Sequence, residues 1–309
     1  MPMEEIYLKK LHHAAAATPG DWQSLGPFFA DDEPYPSRPV NIEQVTISGE
    51  VEIPARVYTP SAGVPSDAPA LVWFHGGAFK GGDLDMGESH FLSSEIAHLG
   101  KMVVITVDYR LCNNGVTFPA PQNDAVAAIA WVQANRESLG IGGEIFAGGA
   151  SAGACLTGST LQILRDRGLE QVAGALLIYP VAHAGVWEFS DWQKERLAEL
   201  PPVIGFPDEW RKGLNAEVMG KPLEQATGHD FPGNATFFGN LPRHLVVNCE
   251  YDDLAPSGEM YALDLARASV KVTQYTELGV LHGHLNKNPN EVAGARNTIR
   301  SMLSFMGAN

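Results

Sequence analysis

Two hydrophobic rhythms run along the chain. "VNIEQVTISG" and "VEIPARVYTP" alternate apolar and polar positions, the period of a half-buried strand, and the Gly49-Glu50 step between them predicts a β-hairpin. After it the alternation stops. "PALVWFHGG", "KMVVITVDY", "EIFAGG" and "VAGALLIYPV" are unbroken apolar runs, followed later by "RHLVVNCEYDD" and "VKVTQYTELG". Continuous apolarity is what parallel strands covered on both faces require. Between the runs the pattern predicts helices over Phe91–Leu99, Pro121–Leu139, Ala152–Arg167, Pro256–Ala268 and Glu291–Met306. Strand and helix thus alternate, and the expected fold class is α/β, a mostly parallel sheet with an antiparallel start. Residues 1 to about 35 read as helix and then loop, ending in "DDEPYPSRP".

Residues 183–240 break the rhythm. They separate two strands by more than one helix and carry Trp187, Trp192, Trp210, Phe231, Phe237 and Phe238 among prolines and glycines. Such an insertion at a strand end predicts a lid, packed with the N-terminal helix. Its aromatic side chains are expected to fill the lid's own core more than an acyl pocket.

Composition narrows the function classes. The 309 residues, nearly half of them apolar, suffice for one large core with an insertion. A net charge of -15 and no basic cluster argue against nucleic acid and against anionic membrane surfaces. No stretch reaches the roughly 18 apolar residues of a membrane span, and Glu4 and Glu5 with no hydrophobic region behind them do not make a secretory signal. Cys112, Cys155 and Cys249 are odd in number and far apart, two of them in apolar patterns, so they read as reduced core residues and a cytoplasmic setting is expected. Asn234-Ala235-Thr236 is then a chance match to the glycosylation sequon.

Candidate chemistry centres on Gly149-Ala150-Ser151-Ala152-Gly153, a G-x-S-x-G between an expected strand and an expected helix. In that setting the serine sits on a sharp turn, close packing demands small neighbours, and the helix N-terminus beneath it stabilises negative charge. A serine hydroxyl needs a base to take its proton and a third group to orient the base. After the next-to-last strand stand Glu250, Asp252 and Asp253; after the last stand His282 and His284. The order Ser, acid, His is the one that goes with this elbow. "WFHGGAFKGGD" supplies a glycine-rich turn whose amides can face a ligand: Gly77 or Ala78 is expected to provide one oxyanion donor and Ala152 another. His282-x-His284 lacks a third ligand at metal spacing, and "GIGGEIFAGGASAG" lacks the G-K-[ST] of a phosphate loop.

Taken together, His75-Gly76-Gly77-Ala78-Phe79, Asp108-Tyr109-Arg110-Leu111 with Phe118-Pro119-Ala120 and Asp124, the serine elbow, Tyr251-Asp252-Asp253-Leu254 and His282-Gly283 resemble the hormone-sensitive-lipase-like branch of the α/β-hydrolases, mostly carboxylesterases. The resemblance runs from about residue 71 to 284. It implies an eight-stranded sheet with a cap, divided as an N-terminal cap segment at 1–45, core at 46–182, cap insertion at 183–240 and core at 241–309. It implies Ser151 as nucleophile, Asp252 as acid and His282 as base, with Gly77, Ala78 and Ala152 as oxyanion donors, Gly76 shaping that turn and His75 holding the loop. The implied activity is serine-dependent hydrolysis of small to medium carboxylic esters through an acyl-enzyme, with no metal or organic cofactor. The expected partner is a small-molecule ester, and a homodimer is compatible with the resemblance. Amide, formamide or lactone hydrolysis uses the same scaffold, and a ligand-binding protein built on it would be expected to lose a triad member. The chain departs from the family at Ala150, where an acid often precedes the nucleophile, at "CNNGVT", where a Pro-Glu pair is usual, and at Asp253, where proline is common.

Overall fold

The computed structural model describes residues 5–17 and 35–308. Eight strands form one sheet in the order β1-β2-β4-β3-β5-β6-β7-β8: β1 (Val40–Ser48), β2 (Glu52–Pro60), β3 (Ala70–Phe74), β4 (Val103–Val107), β5 (Ile145–Ala150), β6 (Gly174–Ile178), β7 (Arg243–Tyr251) and β8 (Val272–Leu281). The predicted hairpin is β1–β2, and β2 also meets β4 antiparallel. Every other pairing is parallel. The sheet's first strand begins at Val40, inside the segment 1–45.

The helices are α1 (Glu5–Ala17), α2 (Leu92–Gly100), α3 (Ala120–Ala134), α4 (Ala152–Asp166), α5 (Asp191–Ala198), α6 (Asp208–Met219), α7 (Ala255–Arg267) and α8 (Ala293–Phe305). Those expected from sequence are present, with one clear overshoot. The helix expected to run to Leu139 stops at Ala134, where Asn135 leaves helical geometry and uses its own side chain on the Trp131 carbonyl. Such local bonding is what makes asparagine a poor helix interior residue. The loop expected before residue 35 lies mostly outside the described residues.

Both faces of the central strands are buried, which is why their sequences do not alternate. Val72 and Phe74 pack on one side with Ile129 and Val132 of α3 and with Leu156 and Leu161 of α4. Leu71 and Trp73 pack on the other with Ile96 of α2 and Ile299 and Met302 of α8. The segment between β6 and β7 contains α5 and α6 together with short 3₁₀ turns. α1 reaches it through His12, whose Nε2 lies 2.6 Å from the Glu199 carbonyl oxygen. Phe231 of this segment is fully buried against Phe79 and Phe118, whereas Trp192, Trp210 and Phe237 are exposed.

The Asp-Tyr-Arg motif after β4 buttresses the core loops. Arg110 grips the buried Asp124 of α3 through Nε at 2.9 Å and Nη2 at 2.7 Å, and its backbone N–H donates to the same carboxylate. Tyr109 stacks on the His75 ring at 4.5 Å and donates its hydroxyl to the His75 carbonyl at 2.8 Å. A cluster of local motifs thereby fixes the loop that follows β3.

Candidate active site

β5 ends at Ala150 and α4 begins at Ala152, so Ser151 alone makes the turn. Its φ of 54° and ψ of -114° lie in a region costly for a side chain bearing a Cβ, of order 1–3 kcal/mol. The turn is held by the Ser151 N–H on the Ile178 carbonyl at 2.9 Å and by the Cys155 N–H on the Ser151 carbonyl at 3.1 Å. The small neighbours follow from contact: a Cβ on Gly149 would overlap the Gly153 backbone, and one on Gly153 would overlap the Phe74 carbonyl. Strand and helix can approach this closely only with hydrogen at both positions. Ala150 is fully buried, leaving no carboxylate at that position.

Three distant segments converge on the serine. His282 Nε2 lies 2.9 Å from Ser151 Oγ, and His282 Nδ1 lies 2.7 Å from Asp252 Oδ2. Asp252 has a fully buried side chain whose second oxygen accepts the Leu254 N–H at 2.9 Å. Burial by itself pushes the His282 pKa down. The charge and hydrogen bond of Asp252, helped by Glu88 and Asp253, outweigh it and leave the pKa above 6.5.

The neighbouring candidates are occupied elsewhere. Asp253 turns its carboxylate to the Phe206 N–H at 2.6 Å, while its carbonyl accepts from Trp187 Nε1 at 2.8 Å. Burial and the adjacent Asp252 raise its pKa to about 6. Glu250 accepts the Gly279 N–H at 2.7 Å. His284 is buried between Cys249 Sγ at 3.3 Å and Thr298 Oγ1 at 2.8 Å, and burial lowers its pKa to about 3. Among the described residues no group of three or more His, Cys, Asp or Glu is placed to hold a metal ion.

The glycine-rich loop after β3 folds back sharply, with positive φ at Gly77 (114°), Ala78 (56°) and Phe79 (60°). A Cβ on Gly77 would overlap the Gly81 carbonyl. His75 Nδ1 lies 2.6 Å from the Gly76 carbonyl and so serves the loop, while its Nε2 is buried with no hydrogen-bond partner among the described residues. Ala152 is the first residue of α4, a position whose N–H has no acceptor within the helix.

Sequence reasoning missed Glu88. It lies in a single π-helical turn, Gly87–Phe91, and is 2% exposed. Its Oε1 accepts the Gly76 N–H at 2.6 Å; its Oε2 accepts the Tyr179 hydroxyl at 2.7 Å and Asn286 Nδ2 at 3.0 Å. One carboxylate therefore ties together the glycine-rich loop, the end of β6 and the loop that carries His282. Tyr179 in turn sets its ring edge-to-face with that of His282, centroids 4.9 Å apart.

A cleft opens beside Ser151, walled by Phe79, Val181, Phe206, Trp210, Leu214 and Leu254. Phe206 sets its ring edge-to-face with His282 at 5.1 Å and stacks on Trp210 at 5.7 Å. Of the aromatic residues noted in the insertion, Trp210 reaches this cleft. Phe206, not singled out from sequence, does too. Two polar side chains, Arg211 and Asn215, complete the lining.

Comparison with known proteins gives a consistent set of likenesses. Residues 71–286 match a family described by its alpha/beta hydrolase fold. Carboxylesterase NlhH of Mycobacterium tuberculosis is 30% identical over 275 residues, 87% of this chain and 83% of that protein. An arylesterase of Saccharolobus solfataricus is 27% identical over 261 residues, 84% of this chain and 79% of that protein. Among solved structures, a hyperthermophilic esterase from the archaeon Pyrobaculum calidifontis superposes with a TM-score of 0.79 at 28% identity, all of both chains being covered. Brefeldin A esterase, a bacterial homologue of human hormone-sensitive lipase, superposes with a TM-score of 0.77 at 27% identity, covering 99% of this chain and 87% of that one.

Proposed function

We propose, from the premise that this chain belongs to the alpha/beta-hydrolase family and hydrolyses carboxylic esters, that Ser151 is the nucleophile, His282 the general base and Asp252 the acid that orients it. The observation that carries this reading is the continuous line from Asp252 Oδ2 through the His282 ring to Ser151 Oγ, at 2.7 and 2.9 Å. As Ser151 Oγ bonds to the ester carbonyl carbon, its proton passes to Nε2. Asp252 holds the Nδ1–H tautomer and stabilises the imidazolium. The carbonyl oxygen becomes an oxyanion, received by the amides of Gly77, Ala78 and Ala152, with Gly76 setting the turn. The C–O bond to the alcohol then breaks and Nε2 returns its proton to the leaving oxygen. Water, deprotonated by the same nitrogen, attacks the acyl-enzyme, and collapse frees the acid and restores the Ser151 hydroxyl. The residues named need no cofactor for these steps.

The same reading takes the segment before β1 and residues 183–240 as a cap over the sheet and its helices, the boundary expected at residue 45 falling inside β1. It is supported by the His12 contact to Glu199 and by the position of Phe206 and Trp210 over the cleft. The narrow apolar walls favour small to medium acyl groups. Three buried thiols, none in a disulfide, support a cytoplasmic setting, and the open edge of β8 is where a homodimer would join. Ser151→Ala is expected to lower kcat on a p-nitrophenyl short-chain ester by about 10⁴-fold or more. Turnover near that of the unaltered protein, in a clean preparation, would reject the mechanism.

A further inference from the structure

The loop after β7 carries two adjacent aspartates that face different ways. Asp252 turns to His282. Asp253 turns to the insertion and holds it at three points: its carbonyl oxygen accepts Trp187 Nε1 at 2.8 Å and Arg211 Nη1 at 3.2 Å, and its carboxylate accepts the Phe206 N–H at 2.6 Å. The first two bonds are made by the backbone and do not depend on the side chain at 253. The third is the carboxylate's own. It fastens the run Gly205-Phe206-Pro207, which joins a 3₁₀ turn at Pro202–Ile204 to α6. Few other backbone donors are on offer there. Pro201, Pro202 and Pro207 have no N–H, and the Ile204 N–H closes the turn on the Pro201 carbonyl at 3.0 Å.

Phe206 leads from this anchor to the cleft. Its ring is part of the lining beside Ser151 and meets His282 edge-to-face at 5.1 Å. The ring it stacks on, Trp210, is 49% exposed and gives it no rigid backing. A backbone N–H bonded to a charged acceptor is the firmer hold. The cleft is narrow, about 40 Å³ in volume, so a long substrate chain has to displace its wall. We propose that Asp253 is a positioning residue for substrate selection: by holding the Phe206 backbone it keeps the Phe206 ring at the cleft and so limits the length of the chain, acyl or alcohol, that lies against that ring. The proposal rests on the serine esterase reading above and names the residues that set its size range.

Chain-length ratios on either side of the ester bond test it, at a mildly alkaline pH where Asp253 is ionised. On the acyl side the ratio is kcat/KM for p-nitrophenyl octanoate over p-nitrophenyl butyrate; on the alcohol side, n-hexyl butyrate over ethyl butyrate. The unaltered protein prefers the short member of the pair whose chain meets Phe206. Phe206→Ala raises that ratio by about tenfold, the low end of what one methylene is worth in an apolar pocket. Asp253→Ala raises the same ratio, whereas Asp253→Asn, whose amide oxygen can still accept the Phe206 N–H, leaves it near that of the unaltered protein. Where the alanine variant does not fold, Asp253→Ser, too short to reach that N–H, takes its place. With both Asp253→Ala and Phe206→Ala present the ratio is that of Phe206→Ala alone, because the aspartate acts through the ring. A merely structural aspartate would lower both members of a pair alike, and partial loss of folded protein cancels in each ratio. No short-chain preference in either pair, ratios unmoved in Phe206→Ala or in Asp253→Ala, the same rise in Asp253→Asn as in Asp253→Ala, or rises that multiply in the double variant would each overturn the proposal. Failure of the serine mechanism is distinct, since it appears as undiminished turnover in Ser151→Ala whatever the ratios.

Discussion

Burial alone would drive the His282 imidazole toward its neutral form, yet the charge and hydrogen bond of Asp252, followed by Glu88 and Asp253, hold its pKa above 6.5. A general base works only when neutral, so kcat/KM is expected to be full above that pKa and to fall as the pH drops through it. The acid limb of the pH profile should therefore lie higher than that of an ordinary histidine; a limb displaced to lower pH would show that Asp252 does not outweigh burial. Stability runs the other way. A histidine whose folded pKa is raised contributes stability fully below its unfolded pKa and loses it as pH rises through the folded one. At this scale Ser151 is legible in the sequence because its small neighbours are a packing requirement. The choice between Asp252 and Asp253 is not, because adjacent residues differ only in which way a loop turns them. His282 and His284 would share one face of an extended strand. Gly283, at a φ of 79°, breaks the strand between them and sends His284 into the core.

At the scale of elements, the turn Gly87–Phe91 does more than connect β3 to α2. Through Glu88 it couples the glycine-rich loop to the loop bearing His282, two segments about 200 residues apart. Glu88→Gln can still accept the Gly76 N–H through its amide oxygen, but its NH2 then meets Asn286 Nδ2 donor to donor and the Tyr179 hydroxyl loses the acceptor it donates to. Displacement of reacting groups by about 1 Å costs on the order of 10²-fold in rate. The variant is expected to lose kcat by roughly that factor with little change in KM for a short-chain ester; a change confined to KM would show that Glu88 acts on binding and not on alignment. No periodic pattern announces such a residue, since its partners are remote and its turn is a single irregular one. Helices and strands were far more readable, because burial on one face or two leaves a period. The insertion was readable as an insertion. Which of its aromatic rings would face the cleft depends on how α6 docks, and that is a tertiary fact.

For the whole molecule, the strand order explains why the candidate residues meet. β4 lies on one side of β3 and β5 on the other, so the loops leaving the ends of β3 and β5 diverge and open a crevice. The glycine-rich loop follows β3 and Ser151 follows β5. Asp252 follows β7 and His282 follows β8, at the same rim of the sheet. The order of motifs along the chain was legible; their meeting point is a consequence of parallel pairing throughout β3 to β8. The most direct test of this convergence is intact-mass and peptide mapping after treatment with a fluorophosphonate, which traps an activated serine. One adduct is expected, on the peptide containing Ser151, formed by the folded protein and absent from Ser151→Ala, with labelling slowed strongly in His282→Ala. An unmodified Ser151 in folded protein, or an adduct on another residue, would contradict the account.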